Sequence, residues 1–263
     1  MKNVNTTRIR KGNLTFYIDD DYVSLRDFIL TVPRLFGRHE GELLHEGRNE
    51  VRRFSVGELD LVVKRYKRVN LVQRVVYTFF RKSKAERAYK YAHTFRNCGI
   101  DTPHEVAYIE QREHGLFVTG YFVSLSCPHP PVFHKLCEQQ PFDVRLAEAV
   151  TRQILEMHKQ GILHGDLNFG NFLYDVKDDG SVHFTVIDIN RSRFCKGMPP
   201  REKCLKNLCT TTHRRDVYEY IVRYYARLRG WNEEEALGEA LGYLERLEER
   251  NRKKDQLKNK LKK

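Results

Sequence analysis

A polar loop flanked by apolar segments occupies Ile162–Asp175, with the sequence ILHGDLNFGNFLYD. It contains a His-x-Asp triplet, His164 to Asp166, and Asn171 follows five residues after the aspartate. A second aspartate, Asp188, comes after a later apolar run. Asn, Asp and Gly favour turns, so any one of these residues alone would indicate an ordinary polar turn. The ordered set favours a functional loop instead.

Regular elements are predicted on both sides of this loop. Before it, Phe142–Gln160 has apolar residues at helical spacing and ends before a glycine, which predicts an amphipathic helix. After it, Phe172–Tyr174 and His183–Ile187 flank a Lys-Asp-Asp-Gly turn and predict a β-hairpin. Antiparallel pairing would bring the two ends of the hairpin together, so Asn171 and Asp188 could share one cation.

The loop and the later aspartate resemble the catalytic loop and metal site of the kinase-like superfamily. The resemblance is carried by His164-Gly165-Asp166-Leu167, by Asn171 and by Ile187-Asp188. It implies that Asp166 orients and deprotonates an acceptor hydroxyl, and that Asn171 and Asp188 hold Mg²⁺ on the phosphates of ATP. Phosphoryl transfer requires these residue types, because a carboxylate must accept the proton and hard oxygen ligands must bind the cation.

Upstream, three strands are predicted at Glu42–Glu46, Val51–Val56 and Leu59–Tyr66. This meander resembles the start of a kinase small lobe, in which a hairpin loop covers the nucleotide phosphates. Gly47 is the single glycine of the loop, and an ordinary hairpin turn is the alternative for it. Lys64 ends an apolar run on the third strand, as the phosphate-pairing lysine of kinases does.

Two helices are predicted next, at Leu71–Lys82 and Lys84–Cys98. Glu86 lies at the edge of the apolar face of the second helix. The resemblance implies that Glu86 positions Lys64 through an ion pair. The alternative is a set of local ion pairs between Glu86 and its basic neighbours.

A strand at Leu116–Leu125 then continues into a proline-rich connector, which suits a hinge between two lobes. The resemblance implies that backbone groups near Val123 and Leu125 face an adenine ring. The elements together predict an α+β, bilobal protein-kinase-like fold. Residues 1–125 would form a small β-rich N-terminal lobe with one or two helices, and residues 126–263 a mainly helical C-terminal lobe.

Both ends of the chain add further elements. A β-prone piece at Leu14–Ile18 precedes a helix over Leu25–Leu35 that is expected to break near Pro33. Near the other end, helices are predicted at Arg201–Leu208, at Arg214–Leu228 and from Glu233 onward. The basic tail from Asn251 is expected to be a solvated helix that frays.

Charge and cysteine usage indicate a class of partner and a compartment. The formal charge of +12 and the pI near 9.4 favour a polyanionic partner, such as nucleic acid, phosphate groups or an anionic membrane surface, and charge alone does not choose among them. The polar start of the chain shows no signal peptide, so a cytoplasmic location is expected. Cys204, Cys209 and His213 are close enough for a metal site, although cysteines without a framework are usually small buried hydrophobes.

A longer pattern is similar to the lipopolysaccharide core kinases, the Kdo and heptose kinase family. It comprises Lys64-Arg65-Tyr66, Lys82–Arg87, Asp101-Thr102-Pro103 and Asp188–Arg191. The resemblance implies ATP-dependent phosphorylation of a sugar hydroxyl, of Kdo or of heptose, on the core glycolipid. The enzyme would work as a peripheral protein at the cytoplasmic face of the membrane. Arg191 and Arg193 would bind acidic groups of the glycolipid.

Departures from the protein-kinase pattern favour a small-molecule or glycolipid acceptor. Gly165 replaces the arginine of His-Arg-Asp, and Ile189-Asn190 replaces the Phe-Gly that follows the metal-binding aspartate. The segment Phe194–Cys209 is short and basic and contains no Ala-Pro-Glu, unlike a regulated activation segment.

Two other functions remain open at this point. A RIO-like protein kinase is compatible with Asp188-Ile189-Asn190. An adaptor that uses the kinase fold to bind a polyanion, for example RNA, is compatible with the glycine-poor loop and the basic charge. Every catalytic residue type is present and no nucleic-acid recognition motif is found, so no nucleic-acid partner is expected.

Overall fold

The structure is a computed structural model that describes residues 6–260. The chain divides into two compact units. The first unit runs to Pro128 and also contains Asp188–Asn190, and the second contains His129–Ile187 and the residues from Arg191 onward. The assignment of residues 1–125 and 126–263 as functional lobes stays a prediction.

The first unit is built on one seven-stranded antiparallel sheet, with the strand order β1-β2-β6-β7-β5-β4-β3. Its strands are β1 (Thr6–Lys11), β2 (Leu14–Asp19), β3 (Glu42–Glu46), β4 (Glu50–Val56), β5 (Leu59–Arg65), β6 (Glu105–Glu113) and β7 (Leu116–Leu125). The predicted meander and the predicted strand at Leu116–Leu125 are therefore confirmed. β1 was not predicted, because its mixture of Thr, Arg and Lys has no apolar face.

Helices cover both faces of this sheet. They are α1 (Arg26–Gly37), α2 (Leu71–Val75), which continues as a π-helical turn (Val76–Phe80), and α3 (Lys84–Asn97). Phe16 and Ile18 of β2 share a buried cluster with α1, whereas Tyr17 between them joins the cluster around α3. Because successive strand residues point to opposite faces, α1 and α3 lie on opposite sides of the sheet.

Two local features of this unit bear on the site. The expected break near Pro33 was wrong: α1 continues to Gly37, because Ile29, Val32 and Phe36 are fully buried and hold the helix against the sheet. On the opposite face, Gly120 allows α3 to approach β7. A Cβ at this position would lie 3.1 Å from the Ala85 Cβ and 3.0 Å from the Ile109 carbonyl oxygen.

The second unit is mainly helical. Its helices are a π-helical turn (His134–Glu138), α4 (Val144–Lys159), α5 (Arg201–Leu208), α6 (Arg215–Leu228) and α7 (Glu233–Lys260). Two small sheets complete it, the hairpin of β9 (Phe172–Val176) and β10 (Val182–Val186), and the pair of β8 (Ile162–Leu163) and β11 (Arg193–Phe194). The predicted hairpin and helices are confirmed, and the final three residues of the predicted tail lie outside the described residues.

The helical second unit and the β-rich first unit agree with the predicted α+β class. Within residues 6–260, no helix combines the length and the apolar character that crossing a bilayer requires.

Candidate active site

The loop that follows β8 is organised by a buried histidine. His164 is fully buried, and its Nε2 lies 3.0 Å from the carbonyl oxygen of Ile187. Its Nδ1 lies 3.2 Å from the backbone nitrogen of Asp166. A carbonyl can only accept and an amide N–H can only donate, so the imidazole is the neutral tautomer protonated at Nε2. His164 therefore joins the loop to the end of β10.

Asp166 presents a carboxylate that is held from two sides. Asn168 Nδ2 donates to Oδ1 at 3.0 Å, and Arg191 Nη1 lies 3.4 Å from Oδ2. The side chain remains 36% exposed, so a hydroxyl group can reach it. A fixed, accessible carboxylate is what a general base for an alcohol requires.

Asn171 is locked by the same loop. Its Nδ2 donates to the carbonyl oxygen of Asp166 at 2.8 Å, which leaves the amide oxygen as its atom for a metal ion. The backbone N–H of Ile187 donates to the carbonyl oxygen of Asn171 at 2.9 Å. The two ends of the hairpin therefore meet, as the sequence predicted.

Gly165 permits the close approach of Arg191. A Cβ on Gly165 would lie 2.3 Å from the Arg191 carbonyl oxygen and 2.5 Å from its Cβ. No side chain fits in this space, which explains physically why glycine stands where protein kinases have arginine. The cation beside Asp166 comes from Arg191 instead, so the structure brings this predicted substrate residue to the predicted base.

Lys64 and Asp188 form an ion pair in the first unit. Lys64 Nζ lies 2.7 Å from Asp188 Oδ1, and Asn190 Nδ2 donates to the same oxygen at 2.6 Å. Asp188 has a φ of +55°, a left-handed conformation that aspartate tolerates better than most residues. Asn190, two residues after the aspartate, thus has a role that the sequence pattern alone does not indicate.

The expected ion pair between Lys64 and Glu86 is not formed among the described residues. Glu86 Oε1 lies 2.6 Å from Lys90 Nζ and 4.0 Å from Lys82 Nζ. These are the local helical pairs that the sequence left as the alternative. Lysines one helical turn away on either side satisfy the carboxylate.

The expected adenine-facing backbone lies inside the sheet. Val123 pairs with Val63 on one side and with Ala107 on the other. The backbone N–H of Leu125 donates to the carbonyl oxygen of His104 at 2.8 Å. Val123 is thus paired on both sides and Leu125 with β5, and a contact of their backbone with an adenine ring stays a prediction.

Gly47 and Arg193, two further residues of the predicted site, are both exposed. The backbone N–H of Gly47 donates to the carbonyl oxygen of Asn49 at 3.2 Å, within the turn between β3 and β4. Arg193 is exposed on β11, where it pairs with Leu163. Their contacts with a phosphate and with a glycolipid stay predictions.

The alternative metal site is not supported. Within the part of the chain that the structure describes, no three His, Cys, Asp or Glu side chains cluster closely enough to hold a metal ion. Cys204 and Cys209 are buried and donate to the backbone carbonyls of Pro199 and Leu205. They are small buried hydrophobes, as cysteines without a framework usually are.

Comparison with known proteins places the chain in a family. Residues 36–212, two thirds of the chain, match the model of the lipopolysaccharide kinase (Kdo/WaaP) family. The chain belongs to this family. Its members are phosphotransferases that act on sugar hydroxyls of lipopolysaccharide.

Individual relatives agree with this placement. The lipopolysaccharide core heptose(I) kinase WaaP of Escherichia coli is 26% identical over 159 residues, which are 54% of this chain and 60% of that protein. The chain thus spans less than two thirds of the length of this curated relative.

Two solved structures are also similar. WaaP in complex with acyl carrier protein has a TM-score of 0.53 and 21% identity, and the match covers 81% of this chain and 88% of the other. It shows that the fold is kinase-like. The Rio2 kinase–ADP/Mg²⁺-phosphoaspartate complex from Chaetomium thermophilum has a TM-score of 0.46 and 14% identity, over 92% of this chain and 81% of the other.

A buried hydrogen-bond network that no local sequence pattern indicates supports the loop of this family member. Asn207 Nδ2 donates to the His164 carbonyl oxygen at 2.7 Å, and its Oδ1 lies 3.1 Å from His158 Nε2. His158 Nδ1 lies 2.8 Å from the Tyr225 hydroxyl. In addition, Thr210 Oγ1 accepts from the Leu167 backbone at 3.2 Å. The end of α5, through Asn207, and Thr210 just after it thus fix the loop, although they lie about 40 residues away in sequence.

His158 is predicted to make the fold sensitive to acid. Burial lowers its pKa to about 4 from its ordinary 6.5. The unfolded chain therefore binds an extra proton between these pH values, and the free energy of unfolding should fall as the pH drops from about 6.5 to about 4, by roughly 3 kcal/mol in all. His158→Gln should lose this part of the pH dependence in urea unfolding measured across the range. The exposed His213→Gln should keep it, and equal slopes in His158→Gln and wild type would contradict the assignment.

Proposed function

We propose that this chain is an ATP-dependent kinase that phosphorylates a sugar hydroxyl of the lipopolysaccharide inner core, a Kdo hydroxyl in the first instance and heptose as the alternative. The Asp166 carboxylate is the observation that carries the proposal. It is accessible, held by Asn168 and Arg191, and lies in the loop of a member of a lipopolysaccharide kinase family. Asn171 of the same loop donates from Nδ2 to the Asp166 carbonyl oxygen, so a candidate metal ligand lies beside the candidate base.

In the proposed reaction, Asp166 orients the acceptor hydroxyl and takes its proton as the γ-phosphoryl group is transferred. The two contacts on its oxygens restrict rotation of the carboxylate, so little reorganisation is needed when the substrate binds. Arg191 then has a second use, because its remaining guanidinium N–H groups can bind a carboxylate or phosphate of the acceptor sugar.

Asp188 and Asn171 are proposed to hold Mg²⁺, which when bound would neutralise the transferring phosphates. Both supply hard oxygen atoms, the ligand type that Mg²⁺ prefers, and water and phosphate would complete the coordination. Lys64 would exchange its contact with Asp188 for the phosphates of ATP. This exchange requires only a side-chain movement, because Lys64 is a flexible, compact cation.

A membrane-borne acceptor also fits the charge of the protein. The core glycolipid is anionic and lies in a membrane, and the net charge of +12 favours peripheral attachment to anionic lipid. Each basic residue near such a surface contributes about 1 kcal/mol, so several together suffice for reversible attachment. The proposed location is the cytoplasmic face of the cell membrane.

The proposed function is tested with radiolabelled ATP and purified core glycolipid. Asp166→Asn and Asp188→Asn should each reduce phosphate transfer at least about a hundredfold, because they remove the base and a metal ligand. Asp175→Asn is the matched control, since Asp175 is a partly exposed carboxylate of β9 whose Oδ2 pairs with the neighbouring Lys177. It should keep wild-type activity.

Assays of different acceptors side by side separate the candidate functions. Glycolipids that end in Kdo and glycolipids that carry heptose should identify the sugar. Phosphorylation of a protein extract but of neither glycolipid would favour a RIO-like protein kinase. Magnesium-dependent ATP binding without transfer to any acceptor would favour an adaptor, and full activity in Asp166→Asn would overturn the assignment of the base.

The structure and the family resemblance differ on Glu86, and a second assay decides between them. Lys64→Met should lower kcat/KM for ATP at least about tenfold, because a positive charge is lost from the phosphates. Glu86→Gln should change it at most a few-fold, since Glu86 pairs with Lys82 and Lys90 rather than with Lys64. Equal losses in both variants would instead restore the predicted Lys64–Glu86 pair during catalysis.

A further inference from the structure

One helix of the first unit presents its apolar side to solvent. In Leu71–Phe80, formed by α2 and the π-helical turn, six large apolar side chains are between 36% and 80% exposed. We call them the apolar ridge: Leu71, Val72, Val75, Val76, Phe79 and Phe80. At about 100° per residue these six positions occupy one continuous half of the helix.

The opposite half of the helix is fixed to the sheet by polar and aromatic contacts. Thr78 Oγ1 accepts a hydrogen bond from the Phe117 backbone at 2.9 Å, and the Tyr77 ring lies 5.6 Å from the Phe117 ring. Arg74 lies 3.4 Å from Glu113. The helix therefore cannot turn its apolar half inward without breaking these contacts. A contiguous apolar patch that is exposed on a protein surface marks an interaction site.

Cations border the apolar ridge at both ends. Between Tyr66 and Ala85 the chain has six basic residues and no acidic one. Lys67 and Arg68 precede the ridge, and Arg81, Lys82 and Lys84 follow it. In the described part of the chain, Glu113 pairs with Arg68 and Arg74, and Glu86 pairs with Lys82. An excess of positive charge remains around the ridge.

We propose that the apolar ridge inserts into the interface of an anionic lipid bilayer, with the bordering lysines and arginines on the lipid phosphates. An apolar half with aromatic residues between basic ends is the pattern of helices that lie in a membrane interface. A ten-residue helix is about 15 Å long, too short to span a bilayer but long enough to lie in its surface.

The charges argue against a second copy of the chain as the occupant. A symmetric dimer places the same patch against itself, so the basic ends on one copy would face those on the other. Anionic lipid instead complements both features at once, because acyl chains accept the ridge and headgroups accept the cations.

This inference rests on the proposed function for its biological purpose, since the ridge would bring the kinase to a lipid-borne acceptor. Its physical content is separate, because lipid binding can be measured without ATP or acceptor.

The test is flotation of the full chain with vesicles of phosphatidylcholine alone or with phosphatidylglycerol added. Wild type should float with the anionic vesicles and not with neutral ones. Phe79→Ser/Phe80→Ser should lower the partition coefficient at least about tenfold, since both rings leave the lipid. Arg81→Gln/Lys82→Gln should lower it about as much and reduce the dependence on salt. Val176→Ser removes an exposed apolar side chain elsewhere, and should bind as wild type does.

Three results would overturn the inference: no flotation of wild type, unchanged flotation of the Phe79→Ser/Phe80→Ser variant, or capture of a soluble protein by the ridge with no vesicle binding. A kinase assay separates this failure from failure of the proposed function. Phe79→Ser/Phe80→Ser should phosphorylate delipidated core oligosaccharide at the wild-type rate and lose activity only on glycolipid in vesicles. If wild type phosphorylates neither acceptor yet floats, the proposed function fails and the lipid-binding surface stands.

Discussion

The hydrogen bonds of one buried imidazole hold the candidate active site together. His164 donates from Nε2 to Ile187 and accepts at Nδ1 from Asp166, so it joins the catalytic loop to the strand that leads to Asp188. Protonation or rotation of the ring would leave one of these buried backbone groups without a partner. The position of the Asp166 carboxylate and the meeting of the hairpin ends at Asn171 both depend on this arrangement.

The contacts around His164 give structural roles to several residues that belong to no local sequence pattern. Asn207 fixes the His164 carbonyl, and His158 and Tyr225 fix Asn207 in turn. Gly165 is required because the Arg191 backbone occupies the space of a side chain. Buried contacts therefore hold the backbone of the loop, while the Asp166 carboxylate stays accessible to solvent. This combination is the condition for a preorganised base.

Much of this could be predicted from the sequence, because the decisive features are local. The order of Asp166, Asn171 and Asp188 around a hairpin depends on turn residues and alternating apolar strands, and the structure confirms that hairpin. The support from Asn207 could not be predicted, since about 40 residues separate it from the loop and a single asparagine carries no pattern. The prediction that Glu86 pairs with Lys64 was not met for a related reason. Nearby lysines such as Lys90 compete with the distant Lys64 for the carboxylate, and the sequence does not show which pair forms.

The apolar ridge shows a different limit of sequence reasoning. The helix predicted over Leu71–Lys82 is present from Leu71 to Phe80, yet periodicity alone assigns the apolar half of a helix to the interior. Thr78 and Tyr77 attach the other half to β7, and only the three-dimensional contacts show it. Val123 is a similar case, because its pairing with two neighbouring strands is a property of the sheet order.

The central claim is that Asp166 and the residues around it transfer phosphate to the core of lipopolysaccharide. The most direct measurement is the phosphate content of core glycolipid isolated from cells with and without this protein. The account predicts that one phosphate on an inner-core sugar disappears when the protein is removed and returns when the protein is restored. An unchanged phosphate content of the core in cells without the protein would contradict it.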